Sequence, residues 1–374
     1  MQDVAGATVS TPVVKGGADE FWLRVRQESE FIAIPLLALC GAAILFSLFL
    51  LAVGKNPIEF FELVYRGGFG TAFSLQNTLQ RSAPLILTAL AVAIPARIGM
   101  VMIGGEGALV IGGFVSAAVA IPMLDRMPPM LTLIVMAIMG SIAGAIWVGF
   151  AGFLRHARGV NETISTLLLT YIGIAVMNFF VEGSLRDLTN PNKPSTKPLG
   201  DAYMVGKIPG TDVHWGLAAG IVIAIALHVL MTRTTFGFAA RITGGNPRAA
   251  LAQGLPVGKL ILACTAIAGA CAGLAGFYEV AAIQGRANAS LAAGYGFTGI
   301  LVAFLARHNP IAIIFVAILF GGIVASGGLI QRRMDLPDAT VLVLQGFIFL
   351  VLLTSETLYG RFEIFKGKAA GDRT

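Results

Sequence analysis

Charge is scarce in this chain: only 12% of its 374 residues are Asp, Glu, Lys or Arg, about half the share of an average soluble domain. So few charges cannot cover a water-facing surface, which excludes an ordinary soluble globular protein. Cysteine is nearly absent. Cys40, Cys264 and Cys271 all fall inside apolar stretches, which excludes a disulfide framework and leaves no CxxC metal or redox site. The histidines, His156, His214, His228 and His308, lack metal-ligand spacing, and no nucleophile pairs with a base. No metal, cofactor or catalytic residue is expected, and nothing here points to an enzyme. A G-x-x-x-x-G-K-[ST] stretch is missing altogether, so the chain does not cradle a nucleotide's phosphates in the usual way. Its net charge of +6 is not gathered into basic runs interleaved with aromatics, so nucleic acid is not an expected partner. Loop charges that orient a membrane protein account for it.

Abundant instead are apolar residues, 56% of the total, and glycine, at 46 positions. Small residues let helix backbones approach closely in lipid. Apolar stretches of about twenty residues predict an all-α polytopic membrane protein with about ten transmembrane helices. The first span is expected at Phe31 to Val53, after about thirty mostly polar residues that do not resemble a secretory signal. An amphipathic surface segment, Asn56 to Gln80, precedes a span at Ser82 to Ala96. Ile98 to Ile121 is interrupted by Gly104, Gly105, Glu106 and Gly107, poor sequence for an unbroken helix, and is expected to be a broken third helix. Further spans are expected at Met130 to Phe153, Thr163 to Val181, Trp215 to Met231, Leu260 to Ile283, Tyr295 to Ala306, Ile311 to Ile330 and Ala339 to Thr354. Gln284 to Gly294 fits a re-entrant or surface segment. Alternation of sides gathers Arg155, Arg158, the 233–259 loop and Arg307 with both termini in the cytoplasm. The resulting organisation is a cytoplasmic tail at 1–30, a transmembrane domain at 31–355 with an extracytoplasmic loop at 182–214, and a cytoplasmic tail at 356–374.

Glu106 stands about nine residues from Arg97, or roughly 13 Å at helical rise, near the bilayer midplane. An intramembrane carboxylate is by default a functional candidate. Its glycine neighbours, Gly104, Gly105 and Gly107, would open the helix toward a substrate path, as in broken transporter helices. A carboxylate that only holds two helices together has the same sequence signature. Tyr171 and Asn178 are further path candidates, with interhelical hydrogen bonding as the alternative, and Gln345 shares both readings. Glu279 and Arg286 are spaced for an interfacial ion pair. Asn246, Pro247, Arg248, Ala249, Ala250 and Gly254 spell a two-turn helix outside the membrane, with an Asn cap, Pro at the first helical position and Gly past the end. Such a helix is either a connector or a rigid handle for a force-generating partner. Gly294 to Gly299 matches GxGxxG, but no strand precedes it and the dinucleotide reading fails. Gly140 with Gly144, and Gly269 with Gly273, mark tight helix contacts.

Four stretches carry a resemblance: Ile103 to Gly107, Asn161 to Thr166, Gly244 to Gly254, and Gly294 to Ile300 running on to Asn309 and Pro310. They resemble, in order, the permease subunits of ABC importers of the branched-chain amino acid and simple-sugar type, most closely the bacterial nucleoside-importer branch. Met102 and Ala108 stand where the family usually carries amides. The resemblance implies the ABC importer permease fold, a bacterial inner-membrane location, a second permease subunit that is a shorter paralogue, two ATP-binding subunits and an extracytoplasmic binding protein. It makes the Asn246 to Gly254 helix a coupling helix and the solute a nucleoside, with sugars or branched-chain amino acids as alternatives. An ion-driven transporter would need more intramembrane ionisable residues than Glu106 alone.

Overall fold

The computed structural model describes residues 36–189 and 193–356. The expected N-terminal tail at 1–30 lies outside these, as do residues 31–35 of the first expected span and all of the C-terminal tail beyond its first residue. The described residues fall into two packing units. One comprises residues 36–48 and 346–356, where Phe46 meets Phe347 edge-on at 6.2 Å between ring centroids. The second is residues 49–345, and it carries everything that follows.

Helices account for nearly all regular structure, and no named strand occurs among the described residues. After α1 (Leu36–Ala52) come α2 (Pro57–Gly68), α3 (Ala72–Ala96), α4 (Gly105–Ala120), α5 (Pro129–Arg158), α6 (Glu162–Glu182) and α7 (Gly216–Arg233). Then follow α8 (Thr235–Gly245), α9 (Pro247–Ala252), α10 (Val257–Tyr278), α11 (Tyr295–Leu305), α12 (Pro310–Met334) and α13 (Thr340–Glu356). Seven described helices are long and apolar enough to cross a membrane, or eight when α1 and α2 count as one bent span.

Two of the expectations change here. The amphipathic segment at Asn56 to Gln80 is not one piece: α2 ends at Gly68, and α3 starts at Ala72, capped by the Thr71 hydroxyl accepting from Ser74 N–H at 3.0 Å. Ala72 to Gln80 is therefore the first part of the same helix as the second span. Ile98 to Gly104 forms no helical half of its own; the chain turns at Gly99 and has no regular structure until α4 begins at Gly105. The helical rise assumed between Arg97 and Glu106 does not apply to that stretch.

Packing sorts the helices into inner and outer. Every residue of α3 from Ser82 to Pro95 is buried, and α4 is buried over most of its length, the signature of helices enclosed by other helices. On α5, by contrast, Met130, Ile134, Ile138, Ile142, Ile146 and Phe150 form an exposed row at intervals of four residues. A continuous apolar stripe of this kind is an interaction surface, and on a helix of this length it fits lipid. The opposite side of α5 crosses α10 with glycine against glycine: a side chain at Gly144 would strike the Gly269 carbonyl, and one at Gly273 the Gly140 carbonyl. The expected tight contact is present, and it is backbone on backbone.

Contacts among the connections define two ends of the second unit. At one, Arg97 Nη2 donates to His308 O at 2.9 Å, Gly99 abuts Gly244, and Thr163 Oγ1 donates to Val101 O at 2.8 Å. At the other, Lys55 Nζ donates to Met334 O at 2.6 Å, Gln80 Nε2 to Asp212 O at 2.6 Å, and the Asp125 N–H to the Tyr203 hydroxyl at 2.8 Å. The long 182–214 loop docks at this second end on the segment leading into α11, through Thr196 N–H to Ala287 O and Leu199 N–H to Gly285 O, both at 2.9 Å.

Candidate functional site

Glu106 lies in the first turn of α4 and is 1% exposed. Its carboxylate reaches the start of α11: Oε1 accepts from Gly294 N–H at 2.7 Å and Oε2 from Gly296 N–H at 2.5 Å. Gly294 holds φ +86° at the N-cap of α11, a left-handed conformation that suits glycine. Glu106 thus performs the capping that α11 lacks locally, satisfying N–H groups that have no intrahelical acceptor. The positive ends of two helices converge on one carboxylate. That arrangement satisfies both carboxyl oxygens deep in a bundle without a basic side chain.

The flanking glycines make the approach feasible. A side chain at Gly296 would strike the Glu106 backbone, one at Gly104 would meet Thr166, and one at Gly107 would meet the Thr170 backbone. Ile103 N–H donates to Thr166 Oγ1 at 3.2 Å, and Asn161 Oδ1 caps α6 by accepting from Thr163 and Ile164 N–H at 2.9 and 3.1 Å. Three of the four sequence stretches singled out, at 103–107, 161–166 and 294–300, therefore meet around Glu106. The GxGxxG match resolves into packing, with Gly299 against Thr88 on α3.

Tyr171 and Asn178 do not join this cluster. Tyr171 is 63% exposed on the outer face of α6, and Asn178 is half-buried further along that helix. Nor does Glu279 pair with Arg286. The π-helical turn Glu279–Gln284 ends α10, and Arg286 Nη1 reaches Ser195 Oγ at 3.5 Å instead. Glu279 shares the Tyr295 hydroxyl and the charge of Arg81, on α3. Arg81 is the residue the sequence reading missed. It fell between a segment ending at Gln80 and a span starting at Ser82, and its only signal was a lone cation beside a long apolar run.

At the Arg97 end the fourth stretch, 244–254, closes α8 and forms α9. The basic 233–259 stretch, read as a loop around one short helix, contains the additional helix α8, capped by Thr234. Asn246 Oδ1 accepts from Arg248 and Ala249 N–H at 3.0 and 3.1 Å, Pro247 opens α9, and Gly254 takes φ +79° beyond it. Six residues give less than the two turns expected. Ala250 is buried as the anchor, while Pro247, Arg248, Ala249 and Leu251 are exposed. At the same end His308 is held down to a pKa of about 4 by burial and by the nearby Arg97 guanidinium.

An all-helical bundle with buried inner helices, lipid-fitting outer faces and paired backbone contacts at glycine defines a multi-pass membrane protein. Its sequence from 74 to 353 matches the family described as branched-chain amino acid transport system / permease component, and the chain belongs to that family of ABC transporter permeases. It is 31% identical over 333 residues to the glucose ABC transporter permease protein TsgB13 of Haloferax volcanii, covering 86% of this chain and 87% of that one. The nucleoside ABC transporter permease protein NupB of Lactococcus lactis subsp. cremoris is 30% identical, covering 79% and 84%. The guanosine ABC transporter permease protein NupP of Bacillus subtilis is 27% identical, covering 91% and 97%.

Proposed function

We propose that this chain is the membrane-spanning permease subunit of an ATP-driven importer of nucleosides. The observation that carries the ATP-driven reading is the exposed, doubly capped α9 on a chain without a phosphate-binding loop. Energy must then enter from another subunit, and Asn246 to Gly254, with Arg248 and Ala249 outermost, is the handle that receives it. The partners in this reading are a second permease subunit, a shorter paralogue, two ATP-binding subunits and an extracytoplasmic binding protein. Ten crossings are assigned to α1, α3 to α7 and α10 to α13, which puts both termini, α8 and α9 in the cytoplasm and the 182–214 loop outside. In a bilayer about 30 Å thick, α11, with 11 residues and about 16 Å long, spans half the membrane. It starts at the midplane after a re-entrant descent from Gln284, and the irregular approach to α4 is the counterpart of a broken helix.

Glu106 with Gly104, Gly105 and Gly107 then braces the translocation path at mid-membrane by fixing α11 to α4 and α6. In this reading Tyr171 and Asn178, further along α6, line that path. The nucleoside assignment draws on the names of NupB and NupP; simple sugars are the second reading, because TsgB13 is named for glucose. Reconstituting all subunits in proteoliposomes tests the proposal: a loaded binding protein should stimulate ATP hydrolysis and drive uptake of labelled adenosine or guanosine. Uptake by this chain without an ATPase, driven by an ion gradient, would overturn it.

A further inference from the structure

Separate from the Glu106 brace, the second unit contains a cavity of about 360 Å³ bordered by α3, α11, α12 and the start of α13. Its size falls within the roughly 300–1,000 Å³ of small-molecule sites. Arg81, Tyr295, Thr298 and Gln345 form its inner wall, and Gln331 and Asp338 its exposed mouth. Thr298 Oγ1 donates to Gln345 Oε1 at 2.8 Å, which fixes the amide. Its Nε2 is left buried without a partner, on a side chain only 4% exposed. Arg81 Nε is likewise buried and unpartnered, although the guanidinium hydrogen-bonds the Tyr295 hydroxyl. A buried donor without an acceptor is costly to keep, so two beside one cavity mark a place built for acceptors that arrive from outside.

We propose that this cavity is the solute cradle of the subunit and that it takes a neutral, hydroxyl-bearing molecule of nucleoside or monosaccharide class. Gln345 Nε2 and Arg81 Nε donate to hydroxyl or carbonyl oxygens of the solute. Asp338 and Gln331 accept from its hydroxyl protons at the mouth. Val324 and Leu342, with the Tyr295 ring, supply an apolar wall for a base or a sugar face. Glu279 lies close enough to Arg81 to offset part of its charge, which weakens the pull of the cavity on the carboxylate of an amino acid. The inference rests on the importer reading and adds the solute's position and polarity to it.

The test uses the full transporter in proteoliposomes, with labelled adenosine, glucose and leucine as probes. Gln345→Leu keeps the side chain's bulk but removes its donor, and Ala339→Trp fills the mouth from an exposed position where folding is not at stake. Each should raise the KM for adenosine or glucose uptake about tenfold or more, the equivalent of one lost hydrogen bond or a blocked entrance, with basal ATP hydrolysis within about twofold. A cysteine placed by A339C should react with a polar maleimide and be protected by the transported solute. If wild type imports adenosine or glucose but both variants do so normally and no protection is seen, the cradle is wrong and the importer reading stands. Leucine uptake by wild type, to the exclusion of the other two probes, would overturn the proposed solute class. ATP-independent uptake would overturn the importer reading itself.

Discussion

Replacing Glu106 gives the sharpest test of the brace. The carboxylate accepts two backbone N–H bonds at the start of α11 while 1% exposed. Hydrogen bonds to a charged acceptor contribute about 1.5–3 kcal/mol each. Glu106→Ala removes both and leaves two donors without acceptors in a region water does not readily enter. The expected loss is about 3–6 kcal/mol. Glu106→Gln keeps one oxygen acceptor but turns an amide N–H₂ toward the other donor, so about half of that loss, or somewhat more, should appear. Thermal melting of the purified protein in detergent measures it, with melting temperature falling in the order wild type, Gln, Ala. If transport falls in Glu106→Ala while melting temperature is unchanged in both variants, Glu106 is a solute or ion contact and the bracing argument is refuted. Equal losses for Gln and Ala would show that charge, not two-point acceptance, holds α11.

At the α5–α10 crossing, Gly144→Leu and Gly273→Leu should each cost about 3 kcal/mol or more by forcing backbones apart, visible as loss of the monodisperse peak in fluorescence-detected size exclusion. Arg248→Glu, on the exposed side of α9, should abolish the stimulation of ATP hydrolysis by a loaded binding protein while leaving melting temperature within about 1 °C; retained stimulation would separate α9 from coupling. Asn246→Ala should destabilise α9 by about 1 kcal/mol, read as faster amide exchange at Arg248 and Ala249. The His308 pKa near 4 lies below its unfolded value, so the unfolded chain binds the extra proton first. Stability from this group is full above about pH 6.5 and is lost as pH falls toward 4, by no more than about 3 kcal/mol. Hydrogen exchange of the 306–309 turn at pH 4.5 against 7.5 should report it.

Local grammar was readable in the sequence where it is chemically local. Asn246 precedes the helix it caps, as its sequence spells, Asn161 and Asn309 cap α6 and α12 in the same way, and the glycine pairs at 140 and 144, and at 269 and 273, do what their spacing implies. Apart from the starts of α3 and α4, at Ala72 and Gly105 instead of Ser82 and Ile98, the apolar runs located the long helices to within about five residues. The misreadings arose where a distant segment decides. Nothing near Glu106 indicates that its partners are Gly294 and Gly296, 188 and 190 positions away. Glu279 was matched with Arg286 by spacing along the chain, whereas the π-helical turn and the position of α3 give it Arg81 and Tyr295. Thr71 as a cap was hidden in a segment whose amphipathic pattern runs smoothly through the break.

The shortness of α11 has a mechanical side. Its leading end is clamped to Glu106 at Gly294, seven residues after Ala287, which with Gly285 is gripped by Thr196 and Leu199 of the 182–214 loop. Past its trailing end, His308 receives the hydrogen bond of Arg97, one turn from where Gly99 touches Gly244. A three-turn helix tied at both ends is a strut: it resists compression and stretching far better than it resists tilting. A displacement at the Gly99–Gly244 contact is therefore expected to tilt α11 about its Glu106-held end more readily than to shorten it.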